Sequence, residues 1–411
     1  MSTLEDLRRL PTADLEEAVV FSEWRRLRHT SARSLERTAE LMAALGHRPS
    51  ELRFPVLGVV GSKGKGTAAA YASAALTGLG RRVGTVMSPG VLSNADRIRI
   101  DGRMVDEQTR RAALIRIEEA RRRLPAADPD TGYLAPTGLF LLMGLLIFDE
   151  LAVDAAVAEA GIGGASDDLS HWPLEAVVLT QIFGEHLDIL GPTVSDVAKD
   201  KAAVMGARTR FCVSLADEHP AVPARARATG TVLLQPTPEA FELVRHMPEG
   251  FQRSNAAAGV TAALRMAGGA HAPSETAEAL RTVNYPGRLS VHEAPQGRCV
   301  VDSAVSGPGL EAALRFAEDQ MGGIDQVLVC LPPGKDIEGF IDALGEFRGA
   351  RRFVELPGAY TGTPRGRCGP GSGSRCMTWG RTSMRLPGPG SCRSCCADAA
   401  PWQQARSCSP H

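Results

Sequence analysis

The sequence predicts an α/β protein, with a larger domain built on a parallel sheet and a smaller α/β domain after it. Short apolar and β-branched runs alternate with helical patterns from Arg53 to about Leu356, an order that yields parallel strands covered by helices on both faces. At 411 residues the chain is long enough for two or three domains, each with its own core. A break falls near Tyr285-Pro286-Gly287-Arg288, and a fresh strand–helix series follows it. The expected divisions are 1–288, 289–360 and a tail at 361–411.

In chain order, the first 50 residues read as helical. The clearest stretch runs from Leu35 to Leu45, with a charged face opposite an apolar one, and Gly46 and Pro49 end it. Strands are expected at Phe54–Val60, Val83–Met87, Ala155–Glu159, Ala176–Thr180, Phe211–Leu215, Cys299–Asp302, Gln326–Leu331 and Arg352–Leu356. Helical stretches such as Thr67–Leu79 and Gln108–Leu124 fall between them. The longest apolar run, Gly138 to Phe148, stops at Asp149-Glu150 and is too short to span a bilayer, so it reads as a buried helix. No internal repeat is present.

Composition excludes several classes of function. A net charge of −1 gives no global field to recruit nucleic acid or an anionic membrane. The N-terminus, MSTLEDLRRLPTADLEE, has no apolar signal-peptide core, which places the expected location in the cytoplasm. Cys212, Cys299 and Cys330 sit in apolar strand-like runs and are expected to be small buried hydrophobes. The other six cysteines fall between Cys368 and Cys408, in a Gly-, Pro-, Ser- and Arg-rich tail without helix or strand periodicity. Cys392-Arg393-Ser394-Cys395-Cys396 lacks the second spaced pair of a zinc module. The tail reads as disorder or as a frameshifted end of a GC-rich gene.

The strongest chemical signal is Leu57-Gly58-Val59-Val60-Gly61-Ser62-Lys63-Gly64-Lys65-Gly66-Thr67-Ala68. A buried strand feeds a glycine-rich turn, and an alanine-rich helix follows. Glycines let backbone N–H groups curl around phosphate oxygens, and the helix N-terminus adds partial positive charge. Lys65 is then the residue to reach the outer phosphates, and the Thr67 hydroxyl the one to ligate Mg²⁺. The usual phosphate-loop pattern ends Gly-Lys-Ser/Thr, whereas Gly66 intervenes here between Lys65 and Thr67. Further on, the apolar run Val153–Ala158 ends in Glu159 and then glycines. A carboxylate at that end of a parallel strand faces the ligand crevice and can hold Mg²⁺.

The inserted glycine opens a resemblance. Gly61-Ser62-Lys63-Gly64-Lys65-Gly66-Thr67 resembles the G-T-N-G-K-G-S loop of folylpolyglutamate and dihydrofolate synthases, within the Mur ligase superfamily. Met87-Ser88-Pro89-Gly90-Val91-Leu92 is similar to their T-S-P-H-L, and Asp96 to Gly102 to their E-R-I-R-I-D-G. Glu159-Ala160-Gly161-Ile162-Gly163-Gly164 resembles E-V-G-L-G-G, and Thr180 to Gly191 resembles T-N-I-x-x-D-H-x-x-x-L-G. Lys201 lies in a segment similar to R-E-K-A-G-I, and Gly250 to Ala257 looks like H-Q-R-E-N-A-A. Tyr285 to Leu289 resembles W-P-G-R-L, and Asp302 heads the counterpart of D-G-A-H-N-P.

The resemblance implies a P-loop ATPase domain with N-terminal helices, followed by a smaller Rossmann-like α/β C-terminal domain. It implies ATP held by Gly61, Ser62, Lys63, Gly64, Lys65, Gly66 and Thr67, with Asn255, Arg288 and Asp302 as further nucleotide contacts. It implies Mg²⁺ held by Thr67, Ser88, Glu159 and His186, and a carbamylated Lys201 as a carboxylate-like metal ligand. Lys65, His186 and Lys201 are then the catalytic set. The expected reaction joins glutamate to a folate-like carboxylate through an acyl phosphate, in a monomer that takes small molecules rather than nucleic acid or membrane as partners.

Four departures qualify this. Gly90 stands where the family has histidine, and Ala165 where G-G-R-L-D-A-T-N has arginine. Leu139-Phe140 replaces a phenylalanine–glutamate pair. Asp302-Ser303-Ala304-Val305-Ser306-Gly307-Pro308 has lost the His and Asn of its counterpart. Phosphate- and metal-handling positions persist while neighbouring polar positions change. Two other readings therefore stand: a Mur-type ligase on a non-folate acceptor in specialised metabolism, and an inactive nucleotide-binding homologue.

Overall fold

The apolar run at 54–60 becomes β1 (Val56–Val60), in which every residue is buried. In the computed structural model, which describes residues 3–90, 93–269, 274–285, 287–294, 297–331 and 336–354, β1 lies inside an eight-stranded sheet. The other strands are β2 (Val83–Val86), β3 (Ile98–Ile100), β4 (Arg103–Met104), β5 (Ala155–Glu159), β6 (Leu174–Leu179), β7 (Phe211–Ser214) and β8 (Val232–Leu234). Their order across the sheet is β4-β3-β2-β5-β1-β6-β7-β8. From β2 to β8 the neighbours run parallel.

The parallel expectation fails at one edge. β3 pairs antiparallel with both β2 and β4. Asp101 and Gly102 join β3 to β4 with φ of 49° and 75°, and positive φ at both central residues makes the tight turn that matches the strand twist.

The helix Pro136–Glu150 carries the long apolar run, and every residue from Gly138 to Phe148 in it is buried. Each large apolar side chain so buried contributes roughly 1.5–3 kcal/mol relative to exposure, so this helix is a main pillar of the core. Among the described residues, no helix is long and apolar enough to cross a membrane. The helix Leu35–Ala44 ends as expected at Gly46: the His47 N–H donates to Met42 O and the Gly46 N–H to Ala43 O. That pair of bonds satisfies the last helical carbonyls.

Upstream, a buried ion pair ties the N-terminal helices to the domain. Arg37 donates from Nε to Glu23 Oε2 at 3.0 Å and from Nη2 to Oε1 at 2.7 Å. Glu23 also accepts from the Leu134 N–H, and Arg37 donates to Pro125 O. Both side chains are buried. Removing one partner strands a buried charge, so Arg37→Ala should lower unfolding free energy by about 3–5 kcal/mol, read from a denaturant melt. An unchanged midpoint would mean the pair contributes nothing.

The chain divides into two units, Met1–Asn284 and Tyr285–His411. The second holds an antiparallel hairpin, β9 (Ser290–Ala294) and β10 (Gly297–Val301), and a parallel pair, β11 (Gln326–Val329) and β12 (Ala350–Phe353). The helices Gly307–Met321 and Ile337–Glu346 pack together over a small core of Leu310, Val329, Leu331, Phe340 and Leu344. Cys212 is buried as expected, but Cys299 is half-buried and Cys330 exposed. Cys330 follows the last residue of β11, Val329, and reaches solvent there. The tail at 361–411 and its six cysteines lie outside the described residues, as do Val91 and Leu92.

Candidate nucleotide site

Four segments leave the sheet from the C-terminal ends of adjacent strands β2, β5, β1 and β6. In an open parallel sheet this edge forms the ligand crevice. The loop after β1 is its centre. Gly64 has φ of 87° and caps the helix Lys65–Gly78, a backbone conformation that L side chains rarely adopt. A Cβ there would also stand 1.9 Å from Asn255 Nδ2. The helix has no acidic residue in its first turn, so its N-terminal N–H groups and dipole stay available to an anion.

The loop is pinned from the β6 side. The Ser62 N–H donates to Gln181 O, and Ser62 Oγ exchanges 3.2 Å hydrogen bonds with the Phe183 backbone. Lys63 Nζ lies 5.3 Å from the centre of the Phe251 ring, a cation–π distance. Gly66 and Thr67 are buried, and Thr67 Oγ1 donates to Gln252 Oε1 at 2.7 Å. Asn255 is 1% exposed, and neither of its side-chain polar atoms has a hydrogen-bond partner. A buried amide without partners costs about 1–3 kcal/mol. Two unmet polar groups held against Gly64 suit a polar ligand at this loop.

Two ammonium groups meet at one oxygen. Lys65 Nζ and Lys201 Nζ each donate to the Gly61 carbonyl at 2.9 Å, so they stand no further apart than twice that distance. Lys201, 1% exposed, also pairs with Glu185 Oε1 at 3.1 Å. Burial, and then the charge of Lys65, push the Lys201 amine down to about 8. Gly164 holds the Lys201 helix close: its N–H donates to Asp200 Oδ2 at 2.7 Å, and a Cβ on Gly164 would meet Lys201 Cα at 2.7 Å.

Glu159 ends β5 with 5% exposure and accepts from the Ser88 N–H at 2.9 Å. Ser88 Oγ in turn accepts from Arg97 Nη1 at 3.2 Å, and the Arg97 guanidinium lies 4.5 Å from the centre of the Phe140 ring. His186 is half-buried, has φ of 49° and heads the short helix Leu187–Leu190. Thus Ser88, Glu159, Thr67, Lys65, Lys201 and His186 all lie on segments at the C-terminal ends of neighbouring strands. Among the described residues, no three His, Cys, Asp or Glu side chains form a metal-holding group. The nominated donors are two hydroxyls and a carboxylate, oxygen ligands of the kind Mg²⁺ accepts when water and phosphate complete its shell, together with one imidazole.

Arg288 and Asp302 belong to the second unit. The Arg288 guanidinium lies 5.5 Å from the Tyr285 ring centre and donates from Nη1 to Gly287 O at 3.2 Å. Asp302 Oδ2 accepts from the Leu289 N–H at 2.9 Å.

Other groups were not singled out from the sequence. Glu185, Gln252 and Asp200 are named above for their bonds to Lys201, Thr67 and Gly164. Arg33 reaches the same glycine segment from the N-terminal region, donating to Ile162 O at 2.7 Å and approaching Asp167 Oδ2 at 3.4 Å. Burial, and then the charge of Asp168, raise the Asp167 carboxyl to about 6. Gln252 stands at the glutamine of the H-Q-R-E-N-A-A resemblance, and its spacing from Asn255 puts both amides on one helix face.

Comparison with known proteins follows the same lines. No protein-family model matches the chain. A probable bifunctional folylpolyglutamate synthase/dihydropteroate synthase of Haloferax volcanii is 34% identical over 169 residues, covering 41% of this chain and 20% of that protein. The dihydrofolate synthase/folylpolyglutamate synthase of Bacillus subtilis is 30% identical over 174 residues, covering 42% of this chain and 39% of that protein. The matched stretch thus spans well under half of these relatives. Escherichia coli FolC, solved in complex with DHPP and ADP, superposes with a TM-score of 0.70 at 22% identity, over 87% of this chain and 86% of that one. A Mycobacterium tuberculosis folylpolyglutamate synthase complexed with ADP gives 0.72 at 20% identity, over 84% of each chain. The fold is shared, and the sequence resemblance to folylpolyglutamate and dihydrofolate synthases is present in the curated relatives as well as in the motifs.

Proposed function

We propose that this chain is an ATP-dependent ligase that joins glutamate to a folate-like carboxylate acceptor through an acyl phosphate. The observation that carries the reading is the loop at the end of β1. Lys65, Lys201 and the unpartnered Asn255 converge there on a glycine backbone fit for phosphate. Neighbours of the same fold solved with ADP support nucleotide binding, and the names of the sequence relatives support folate chemistry.

The chain's own residues supply positioning and charge. The loop N–H groups and Lys65 hold the ATP phosphates and stabilise negative charge on the group transferred. An oxygen of the acceptor carboxylate attacks the γ-phosphorus, and ADP leaves. The glutamate amine then attacks the acyl carbon, losing a proton, and phosphate departs as the amide forms. Thr67, Ser88, Glu159 and His186 are the residues that would hold Mg²⁺, which when bound neutralises phosphate charge.

Lys201 suits modification by CO₂. That reaction needs the neutral amine, and an amine titrating near 8 rather than 10.5 holds roughly a few hundred times more of it at neutral pH. The product would be an anion beside Glu185, and a bound divalent cation would relieve that pair of like charges.

The test is ADP release by purified protein with Mg²⁺, ATP, glutamate and a panel of folates. Turnover on at least one folate, dependent on glutamate, is expected. ATP binding without turnover on any folate would remove the folate acceptor.

A further inference from the structure

The helix Phe251–Met266 turns one face toward the loop-bearing helix Lys65–Gly78, and Gln252, Asn255 and Gly259 lie on it at spacings of three and four residues. Gly259 sets the approach: a Cβ there would stand 2.2 Å from the Ala68 carbonyl oxygen, so no larger residue allows the two backbones this close. At that separation Asn255 reaches Gly64 and Gln252 reaches Thr67.

The direction of the Thr67 bond matters. A threonine hydroxyl has one proton and two lone pairs. Here the proton goes to Gln252 Oε1 at 2.7 Å, with Thr67 4% and Gln252 7% exposed. A hydroxyl that ligates a cation does so through a lone pair, with its proton directed away from the metal. Without an outside acceptor, a helical threonine donates to the carbonyl one turn earlier, which would turn its oxygen toward its own backbone. Gln252 removes that option.

We infer that Gln252 is a positioning residue that fixes the Thr67 hydroxyl with its lone pairs presented to Mg²⁺. The resemblance gives Asn255 to the nucleotide; the geometry leaves Asn255 to the ligand and gives Gln252 to the metal-binding hydroxyl. The inference rests on the nucleotide reading above. It predicts that Gln252 acts on the metal's contribution to binding and not on the nucleotide itself.

The experiment titrates ATP into the full chain by calorimetry, once with excess Mg²⁺ and once with EDTA. Gln252→Met keeps the length and removes the acceptor; Gln252→Glu keeps an acceptor oxygen. In Gln252→Met the Mg²⁺-dependent gain in affinity should fall about 10- to 100-fold, the usual effect of losing a group that orients a metal ligand. Affinity in EDTA should stay at the wild-type value, and Gln252→Glu should keep most of the Mg²⁺ gain. Equal loss with and without Mg²⁺ in Gln252→Met would put Gln252 on the nucleotide and overturn the inference, as would no loss in either. Should Gln252→Met fail to fold, loss of the Mg²⁺ gain in a folded Gln252→Glu would overturn it equally. Wild-type protein that binds no ATP in either buffer overturns the nucleotide reading itself, a distinct result.

Discussion

Lys65→Ala is expected to cut ATP-dependent turnover by on the order of 10² to 10³, the loss typical of removing one preorganised group that stabilises transition-state charge. Among the described residues, the bond its side chain would lose is the one to Gly61 O, and that carbonyl keeps Lys201 as a second donor. The protein should therefore fold with an unchanged melting temperature while ADP release collapses. Relief of Lys65 charge should also let the Lys201 amine titrate higher, since Lys65 is the second cause of its depression after burial. Full activity in a folded Lys65→Ala protein would take the loop out of the chemistry.

Lys201→Ala should cost a comparable amount, about 10² to 10³ in turnover, because a bound metal supplies several kcal/mol of charge stabilisation and each 1.36 kcal/mol is tenfold in rate. Its pH dependence has a fixed sign. The amine is charged below about 8 and neutral above it, so carbamate formation should rise as pH climbs through that value. Protein stripped of CO₂ at pH 7 should lose activity and regain it with bicarbonate, faster at higher pH. A ¹³C carbamate resonance from labelled bicarbonate should appear in wild type and vanish in Lys201→Ala. Activity indifferent to CO₂, with no such resonance, would leave Lys201 as a simple partner of Glu185.

Sequence made the main sheet legible because buried parallel strands are continuous apolar runs. β1, β2, β5, β6 and β7 form within one or two residues of their expected bounds. The strands that escaped are short or at an edge. β3 has three residues and β4 two, and their only signal was the Asp101-Gly102 turn. β8 is apolar but has only three residues, with Val232 exposed, too short a run to mark a strand by itself. Among the described residues β9 pairs with β10 alone, and it has polar Ser290, His292 and Glu293 among its five residues.

The site was legible wherever a motif sits on one segment, as at Gly61–Thr67. It was not where side chains meet across the fold. Gln252 is 185 residues from Thr67 and Lys201 is 140 from Gly61, and no local pattern encodes either contact. Arg33 likewise arrives at the glycine segment after β5 from about 130 residues away. The departures show the same limit. Ala165 replaces an arginine of the family pattern, while the N-terminal region brings a guanidinium to that glycine segment. Phe140 stands in for a polar pair member, and Arg97 now lies over its ring.

The central claim is that ATP activates a carboxylate by phosphoryl transfer. It is tested most directly by labelling the acceptor carboxylate with ¹⁸O and following the label through a single turnover with glutamate. The account predicts one ¹⁸O atom in the inorganic phosphate released and none in the nucleotide product. Label appearing in AMP, or phosphate released without label while the amide forms, would contradict it.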